Sequence, residues 1–314
     1  MSKINTLLKE ISKFNEHHKR LLPNKCIISS YFSELYCAIR FGCSPEDFFR
    51  YRFYEKSNYE RNKFITYRRS KKILKKYNDK SKTYIFQQKP EFNKVFCDYI
   101  NRDWLVLNNC SREEFDLFVK KHKEVILKPL SGGQGKGIFK LKESELNTFN
   151  FDLYKNYICE EILIQHEKMS LVNPTSINTV RVLTFKGEII ACALRSGGKD
   201  AIVDNLHSNG VCAHIDVETG VIDHPAINYK YESYLYHPVT NNLIVGFTIP
   251  NWSILQEKIK QACKLVPTVQ YVGWDVAILP NDIALIEGND DPGHDVVQMI
   301  AQTGLYQQIK RLEK

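Results

Sequence analysis

The sequence predicts an α+β fold, and three observations carry this prediction. In the first third of the 314 residues, apolar side chains recur at helical spacing, as at Ile4, Leu7 and Ile11. From about Ser81 onward, short β-branched and aromatic runs are separated by glycine, asparagine and proline, which is typical of strands and turns. Several runs pair as hairpins with helices between them, and this mixture favours α+β.

The predicted elements include a helix that starts at Ser44, because serine caps helices and the following Pro45 fits a first helical turn. Short β-branched and aromatic runs predict strands over residues 125–130, 137–141, 157–161, 178–185, 188–195, 211–215, 274–279 and 283–287. Helices are predicted over residues 112–122, 252–265 and 295–313.

The composition is that of a soluble globular protein, with 43% hydrophobic and 25% charged residues. No run approaches about 18 apolar residues, so the sequence predicts no membrane-spanning helix. The start of the chain lacks the apolar run of a secretory signal. The nine cysteines show no C-x-x-C spacing, which favours reduced thiols over disulfides or a zinc site. These features predict a cytoplasmic protein.

Positive charge is concentrated in one segment of a chain whose net charge is +8. Between Arg61 and Lys82, Asp79 is the only acid. Such a segment suits nucleic acid, an anionic polymer or the phosphates of membrane lipids, and the alternative is a solvated helix face. No nucleic-acid motif accompanies it, so we expect no sequence-specific nucleic-acid partner.

A glycine cluster follows an apolar strand in EVILKPLSGGQGKGIFKL, residues 124–141. Glycine lets the backbone approach a ligand closely, and phosphate takes backbone N–H donors and cations together. The order of residues excludes a kinase loop, since Lys128 precedes the glycines, and a Walker A loop, since Gly137 follows Lys136. A strand rather than a helix follows, which excludes a Rossmann fingerprint. A phosphate-binding loop and an ordinary hairpin stay open as alternatives.

A second hairpin is predicted in VGWDVAILPNDIALIEGND, with a turn at residues 280–282. In that register Leu279 faces Ile283 and Asp275 faces Glu287, while Asn289 lies on the same face as Glu287. Facing carboxylates repel unless a cation neutralises them, and Mg²⁺ prefers such oxygen ligands. The alternative is a solvated pair of acids. Removal of Asp275 is expected to relieve the repulsion and slightly stabilise the metal-free protein.

The ordered set of motifs resembles the ATP-grasp superfamily, in particular its sugar-transfer-associated subgroup, which is found with polysaccharide biosynthesis. The motifs lie between about residues 80 and 298 and are VILKPLSGGQGKGI, YICEEILIQH, SINTVRVLT, VDNLHSNG, GWDVAIL and IEGNDDPGHDVVQ. The resemblance implies two α+β lobes that grip ATP, at residues 81–165 and 166–314. A mostly helical region at residues 1–80 precedes them.

The same resemblance implies the residues of the site. Lys128 would bind the nucleotide phosphates, under a flexible loop of Ser131, Gly132, Gly133, Gln134, Gly135, Lys136 and Gly137. The segment YICEEILIQH would form the hinge between the two lobes. It would meet the adenine and ribose through Glu160, Glu161, Ile162, Leu163 and Gln165, with His166 as an alternative near the ribose. Two Mg²⁺ ions would be held by Asp275, Glu287 and Asn289, with Glu287 bridging them.

Three further residues are candidates for the catalytic region. By resemblance, Arg181 would hold the transferred phosphoryl group or the acceptor carboxylate, since a guanidinium pairs with oxyanions. The alternative is a strand arginine paired with a surface acid. Arg195 and Asn205 are placed with it, Asn205 in a loop over the acyl-phosphate region. His207 and His294 are not assigned a role.

The activity implied is that of an ATP- and Mg²⁺-dependent ligase, which forms an acylphosphate and ADP and then couples the acyl group to a nucleophile. The implied partners are a sugar, uronic acid or glycan-linked carboxylate and an amine or amino acid. Two rivals remain, an ATP-grasp sugar kinase and a non-catalytic nucleotide-binding accessory protein of polysaccharide assembly. The basic segment also predicts a weak peripheral association of the protein with the inner face of an anionic membrane.

Overall fold

The computed structural model describes residues 3–132, 135–198 and 210–314. The chain forms two compact units, Met1–Tyr77 with His294–Lys314 and Asn78–Gly293. The first unit is helical where it is described, and the second contains a four-stranded sheet and a seven-stranded sheet. The predicted α+β class is confirmed, while the lobe boundaries at residues 80 and 165 stay predictions.

Thirteen α-helices and eleven β-strands lie in the described ranges. The helices are α1 (Lys3–Leu21), α2 (Ile27–Phe41), α3 (Pro45–Arg50), α4 (Asn58–Arg61), α5 (Tyr67–Tyr77), α6 (Tyr84–Gln87), α7 (Lys89–Val95), α8 (Cys97–Ile100), α9 (Arg112–His122), α10 (Glu167–Val172), α11 (Trp252–Cys263), α12 (His294–Ala301) and α13 (Tyr306–Glu313). The strands are β1 (Trp104–Val106), β2 (Glu124–Pro129), β3 (Phe139–Lys142), β4 (Tyr157–Glu161), β5 (Thr179–Phe185), β6 (Glu188–Ser196), β7 (Val211–Ile215), β8 (Ala226–Ile227), β9 (Ser233–Tyr234), β10 (Tyr271–Ile278) and β11 (Ile283–Asn289). Among the helices of these ranges, none has both the length and the apolar composition needed to cross a membrane.

The first three helices of the first unit close around an aromatic core. Phe14 of α1 stacks on Tyr31 of α2 at a centroid distance of 4.0 Å and meets Phe49 of α3 edge-on. At the start of α3, Ser44 Oγ accepts a hydrogen bond from Asp47 N, and the Asp47 carboxylate accepts one from Ser44 N. This reciprocal cap satisfies two backbone donors of the first turn. The helix start predicted at Ser44 is confirmed.

The single helix predicted over residues 295–313 is wrong, because α12 and α13 divide this segment. Gln302 follows α12 with a φ of 50°, a left-handed conformation that ends the helix. Its Nε2 atom donates to Met299 O at 2.7 Å and satisfies one of the carbonyls that a helix end leaves open. Glycine and asparagine usually occupy such positions, so a glutamine gave no signal in the sequence.

The second unit contains a four-stranded antiparallel sheet in the order β1-β4-β2-β3. α9 lies beside β2 in the chain and starts at a reciprocal cap between Ser111 and Glu114. It buries Phe115 and Val119 in a core that also contains Leu127 of β2. The helix predicted over residues 112–122 is confirmed with these bounds.

The larger sheet of the second unit has the order β11-β10-β5-β6-β7-β8-β9, with antiparallel neighbours throughout. Every residue of β10 is buried, because β10 lies between two strands and under aromatic side chains. Trp274 of β10 packs against Phe86, Phe92 and Phe96. All eight predicted strands are present, with ends that differ by at most three residues.

The hairpin of β10 and β11 has the predicted pairing at the acids but not at the turn. Ile278 rather than Leu279 lies opposite Ile283, so the turn is one residue longer than predicted. A β-bulge between Asp275 and Val276 then shifts the register back, and Asp275 lies opposite Glu287. The predicted pairing of Leu279 with Ile283 is wrong, and the predicted pairing of the two acids is confirmed.

Candidate active site

The glycine-rich segment connects β2 and β3, which pair as an antiparallel hairpin. Gly132, Gly135 and Gly137 each have a positive φ, a conformation that favours glycine. At Gly137 an added Cβ atom would lie 3.0 Å from Pro129 Cγ and 3.3 Å from Tyr157 Oη, which would crowd both side chains. The path of the loop beside β2 therefore depends on its glycines.

Glu160 of β4 is a buried carboxylate between two basic side chains. On β2, Ile126 lies opposite Glu160, which puts Lys128 on the same face two residues further on. On β1, Trp104 lies opposite Glu160, and Arg102 precedes it by two residues. Lys128 Nζ lies 2.5 Å and Arg102 Nε 3.1 Å from Glu160 Oε2. Burial alone would raise the pKa of Glu160, but the charges of Arg102 and Lys128 outweigh it and hold the pKa well below its usual range.

Asp275 of β10 is buried and is held by two arginines from neighbouring strands. Arg181 lies directly opposite on β5, and its Nε and Nη2 atoms donate to the two carboxylate oxygens at 2.8 and 3.1 Å. Arg195 of β6 brings Nη1 to 2.9 Å from Oδ2. Burial favours the neutral acid, yet Arg181 and then Arg195 lower the pKa of Asp275 below its ordinary value. Asp275 is therefore a charged counter-ion for both arginines.

Gly273 leaves the space that Arg181 occupies. A Cβ atom at this position would lie 2.8 Å from Arg181 Nη1 and 2.6 Å from Pro292 O. Both contacts are shorter than a real Cβ atom tolerates, so a side chain here would displace the guanidinium. The glycine two residues before Asp275 thus permits the bidentate pair.

Glu287 lies opposite Asp275 but reaches the solvent. The surrounding protein and the negative charge of Asp275 raise the pKa of Glu287. Asn289 Nδ2 donates to Glu287 Oε1 at 3.3 Å, which places the amide on the same face of β11. Two carboxylates and one amide therefore converge at the end of the hairpin, and all three offer the oxygen atoms that Mg²⁺ prefers.

A cavity of about 560 Å³ is lined both by the glycine loop and by this hairpin. Its lining includes nine predicted residues: Lys128, Gly132, Gly135, Lys136, Glu160, Arg195, Asp275, Glu287 and Asn289. A smaller cavity of about 310 Å³ shares Lys128 and Glu160 with it and is lined by the predicted hinge residues Glu161, Ile162, Leu163 and Gln165. The two cavities thus adjoin, and their volumes are those of small-molecule sites.

Some predicted residues lie elsewhere. Of those that the structure describes, Ser131, Gly137 and Arg181 line neither cavity, although Arg181 reaches the site through Asp275. The predicted residues Gly133, Gln134 and Asn205, together with His207, lie outside the described ranges.

Gln165 lines the smaller cavity, but its amide is already used. Its Nε2 atom donates to Asn173 O at 3.0 Å and to Ser176 O at 3.1 Å, and its Oε1 atom accepts from Asn178 N at 2.9 Å. His166 Nδ1 accepts from a backbone N–H at the start of α10. The side chains of Gln165 and His166 are therefore already hydrogen-bonded within the protein.

Lys89 lines the larger cavity, although no motif in the sequence pointed to it. Burial lowers the pKa of Lys89, while the charge of Glu287 acts in the opposite direction. Gln87, two residues earlier, donates from Nε2 to Asp290 Oδ2 at 3.0 Å. A lysine followed by proline at a helix start is common, so the sequence around Lys89 did not indicate a site. Lys89 lies near β11 only because distant parts of the chain pack together.

We expect Glu287→Gln to stabilise the ligand-free protein at neutral pH. The raised pKa of Glu287 shows that the folded state disfavours the charged carboxylate. Protonated Glu287 therefore stabilises the fold below the ordinary pKa of 4.5, and this stabilisation is lost as pH rises through the pKa of the folded state. The gain in free energy of unfolding is up to about 1 kcal/mol, because the side chain reaches solvent and the repulsion is screened. Thermal unfolding at neutral pH and below pH 4.5, without divalent cations, measures it.

The exposed Glu167 of α10 provides the matched control, since Glu167→Gln changes the same charge away from any buried acid. Its stability should not rise at neutral pH, because the charge of Glu167 lies in the first turn of α10, where the helix dipole favours it. A loss of stability for Glu287→Gln at neutral pH would contradict the repulsion between Glu287 and Asp275.

A glycine-looped sheet and a second sheet with an acidic hairpin, lining one cavity, define the ATP-grasp class of α+β folds. The chain belongs to the sugar-transfer-associated ATP-grasp family, whose family model matches residues 68–314. The resemblance found in the sequence is thereby confirmed.

Among solved structures the chain is similar to the ATP-grasp ligase PsnB complexed with minimal precursor, at 14% identity and a TM-score of 0.48 over 74% of this chain and 60% of that chain. It is similar to a D-alanine–D-alanine ligase from Bacillus anthracis complexed with ATP, at 13% identity and a TM-score of 0.42 over 73% and 69% of the two chains. It is also similar to the macrocyclase MdnC from Microcystis aeruginosa MRC, bound with the precursor peptide MdnA. The sequence identity is 10% and the TM-score is 0.46, over 75% of this chain and 62% of that chain. The chain spans about 60% of the length of PsnB, and no curated protein matches its sequence. The family assignment rests on the family model.

Proposed function

We propose that the chain is an ATP- and Mg²⁺-dependent ligase that activates a carboxylate as an acylphosphate and couples it to an amine or another nucleophile. The observation that carries this proposal is the cavity of about 560 Å³ between a lysine-bearing glycine loop and a pair of facing carboxylates. A phosphate chain requires N–H donors and cations, and a divalent cation requires oxygen ligands. Both requirements are met in the lining of one cavity.

In this proposal the ATP phosphates lie in the larger cavity and the adenine lies at the hinge. Lys128 and Lys136 supply positive charge beside the glycine loop, and Lys89 adds a third cation. Glu160 fixes the position of Lys128 through their ion pair. Residues 161–163 line the smaller cavity, and in this proposal their backbone meets the edge of the base.

The donor set of the hairpin fits Mg²⁺, and we propose that Asp275, Glu287 and Asn289 would hold two ions. Glu287 and Asn289 offer oxygen atoms to the cavity. Asp275 adds negative charge, although both of its oxygens already accept hydrogen bonds from Arg181 and Arg195. Bound Mg²⁺ supplies charge neutralisation for the transferred phosphoryl group.

The proposed reaction has two steps. A carboxylate oxygen of the substrate bonds to the γ-phosphorus of ATP, the bond from this phosphorus to the β–γ bridging oxygen breaks, and ADP leaves. The nitrogen of an amine then bonds to the acyl carbon, the bond from this carbon to the phosphate oxygen breaks, and phosphate and a proton are released. The protein contributes positioning and charge, with Arg181, Arg195 and Asn205 proposed at the phosphoryl and carboxylate groups.

We propose a sugar-derived acid as the carboxylate, either a uronic acid or an acid linked to a glycan, with an amine or amino acid as its acceptor. The name of the family, which associates it with sugar transfer, supports this choice. The step would then belong to the cytoplasmic biosynthesis of polysaccharide or capsule precursors.

The experiment measures ADP and phosphate release across uronic acids, sugar nucleotides and amino acids. A ligase releases ADP and phosphate in equal amounts, and full turnover requires both the carboxylate and the nucleophile. ADP without phosphate would instead indicate a sugar kinase. Nucleotide binding with no release of either product across the panel would indicate an accessory protein.

We expect Lys128→Ala to weaken ATP binding or turnover about 100-fold, because it removes a donor aimed at the phosphates. Glu160 keeps Arg102 as its counter-ion in this variant, so the fold should persist. Isothermal calorimetry with ATP and Mg²⁺ measures the affinity, and far-ultraviolet circular dichroism checks the fold. Lys142→Ala, which removes an exposed lysine from β3, is the control. Unchanged ATP affinity with full activity would remove Lys128 from the site.

A further inference from the structure

Five apolar side chains line one exposed face of α2. Their spacing places them on the same side of the helix, and they are Ile28, Phe32, Leu35, Tyr36 and Ile39. Their exposed fractions lie between 44% and 72%. Cys37 and Phe41 of the same helix are buried in the aromatic core. We call the exposed face the apolar stripe.

A groove of about 410 Å³ begins where the apolar stripe ends. Ile39 belongs to the stripe and also lines the groove, next to Arg40. Residues of α5 and α13 form the other walls, where Glu313 is the only acid among the lining residues. The basic lining residues are Arg40, Arg68, Arg69, Lys72, Lys76 and Lys310. We call this feature the basic groove.

Half of the charges in the basic groove are already engaged within the protein. Arg69 donates to two backbone carbonyls at 2.7 and 2.9 Å. Glu313 pairs with Lys76 and Lys310 at 3.3 and 2.6 Å. In the part of the chain that the structure describes, no acid pairs with the other three, which are Arg40, Arg68 and Lys72. These three cations face an open groove without a counter-ion from these residues.

We infer that the apolar stripe and the basic groove together form a contact site for an anionic lipid bilayer. Apolar side chains on one helix face enter the boundary between headgroups and acyl chains, and neighbouring basic side chains bind the headgroup phosphates. The stripe extends for about 16 Å along α2, which is enough for a shallow contact. This inference does not depend on the proposed function.

Charge complementarity selects the bilayer over a second copy of the chain. Each copy carries a net charge of +8 and the same basic groove, so a contact between copies at this face would bring like charges together. An anionic bilayer supplies both the negative charge that the groove lacks and the apolar interior that suits the stripe. The basic segment noted in the sequence contributes through α5, which supplies Arg68 and Lys72.

The test is co-sedimentation of the full chain with vesicles of phosphatidylcholine, with or without phosphatidylglycerol, at low and high salt. We expect binding to the anionic vesicles that weakens with salt, and little binding to phosphatidylcholine alone. Arg40→Gln with Lys72→Gln should weaken binding about 25-fold, since each basic side chain near such a surface contributes about fivefold. Phe32→Ser with Ile39→Ser should weaken it at least about 10-fold.

Matched controls come from the second unit. Lys120→Gln with Lys168→Gln removes the same charge from exposed positions, and Leu117→Ser with Leu153→Ser removes side chains that are 66% and 74% exposed. These variants should retain binding within about twofold of the parent, allowing for the lower net charge. Equal losses in the test and control variants, or no binding to anionic vesicles, would overturn the inference. If light scattering shows that the parent protein is a dimer, that the stripe variant is a monomer, and neither binds vesicles, the face would be assigned to a contact with a second copy.

Discussion

Asp275→Asn is expected to lower the free energy of unfolding by roughly 3–5 kcal/mol, the range for breaking one partner of a buried ion pair. The substitution leaves Arg181 and Arg195 without their counter-ion, and their side chains are only 14% and 13% exposed. The folded pKa of Asp275 is lowered, so its contribution is present above the ordinary value of 3.8 and is lost as pH falls. Chemical denaturation at neutral pH measures the loss, which should shrink toward acid pH.

The control for this prediction is Asp103→Asn. Asp103 also pairs with two basic residues, Lys121 and His122, but its side chain is 49% exposed. Its loss should cost at most about 1 kcal/mol, because solvent screens an exposed pair. The repulsion from Glu287, taken alone, predicts a gain in stability without Asp275, whereas the two arginines predict a loss. A variant as stable as the parent, or more stable, would favour the repulsion.

The acidic hairpin shows how a local pattern predicts a site. The alternation of β10 and β11 is visible over a few residues, and the pairing of Asp275 with Glu287 follows from the position of the turn. The predicted turn was one residue too short, and the bulge after Asp275 compensated for this error. The pairing was therefore predicted correctly through two errors that cancel. A bulge depends on packing within the sheet, so the sequence alone did not specify it.

The glycine loop was predicted for a similar reason. Glycines with positive φ leave a local mark in the sequence, and Lys128 stands directly before them. Glu160 was assigned to the site by resemblance, but its buried ion pair was not foreseen. That pair depends on the order β1-β4-β2, which brings Arg102 and Lys128 to the two sides of one strand. No spacing along the chain encodes this neighbourhood.

The arginine pair and Lys89 illustrate the same limit. Arg181 was predicted to hold the phosphoryl group or the acceptor carboxylate, with Arg195 placed beside it, and the alternative for Arg181, a pair with a surface acid, was kept open. The structure pairs both with Asp275, some 80 to 94 residues away in the chain. Lys89 reaches the cavity only because α7 packs near β11. Local patterns thus predicted eight of the strands and the two motifs, while tertiary packing determined the counter-ions.

Arg102→Met is expected to destabilise the protein by roughly 3–5 kcal/mol, because it removes one partner of a buried ion pair while keeping much of the side-chain volume. Arg102 and Glu160 have side chains only 1% and 3% exposed. Arg102 also donates to Ile100 O at 3.1 Å and Leu285 O at 2.6 Å, and these acceptors would lose a partner. Urea denaturation at neutral pH measures the loss.

The effect should depend on burial rather than on the number of contacts, and Arg112 separates the two. Arg112 pairs with Asp116 and donates to two backbone carbonyls, but its side chain is 40% exposed. Arg112→Met should therefore cost no more than about 1–2 kcal/mol, since water can replace the lost donors. Combining Arg102→Met with Glu160→Gln should cost less than the sum of the single losses, because the interaction between these two side chains is then lost only once. Additive losses would show that Arg102 acts through the backbone carbonyls and not through the charge of Glu160.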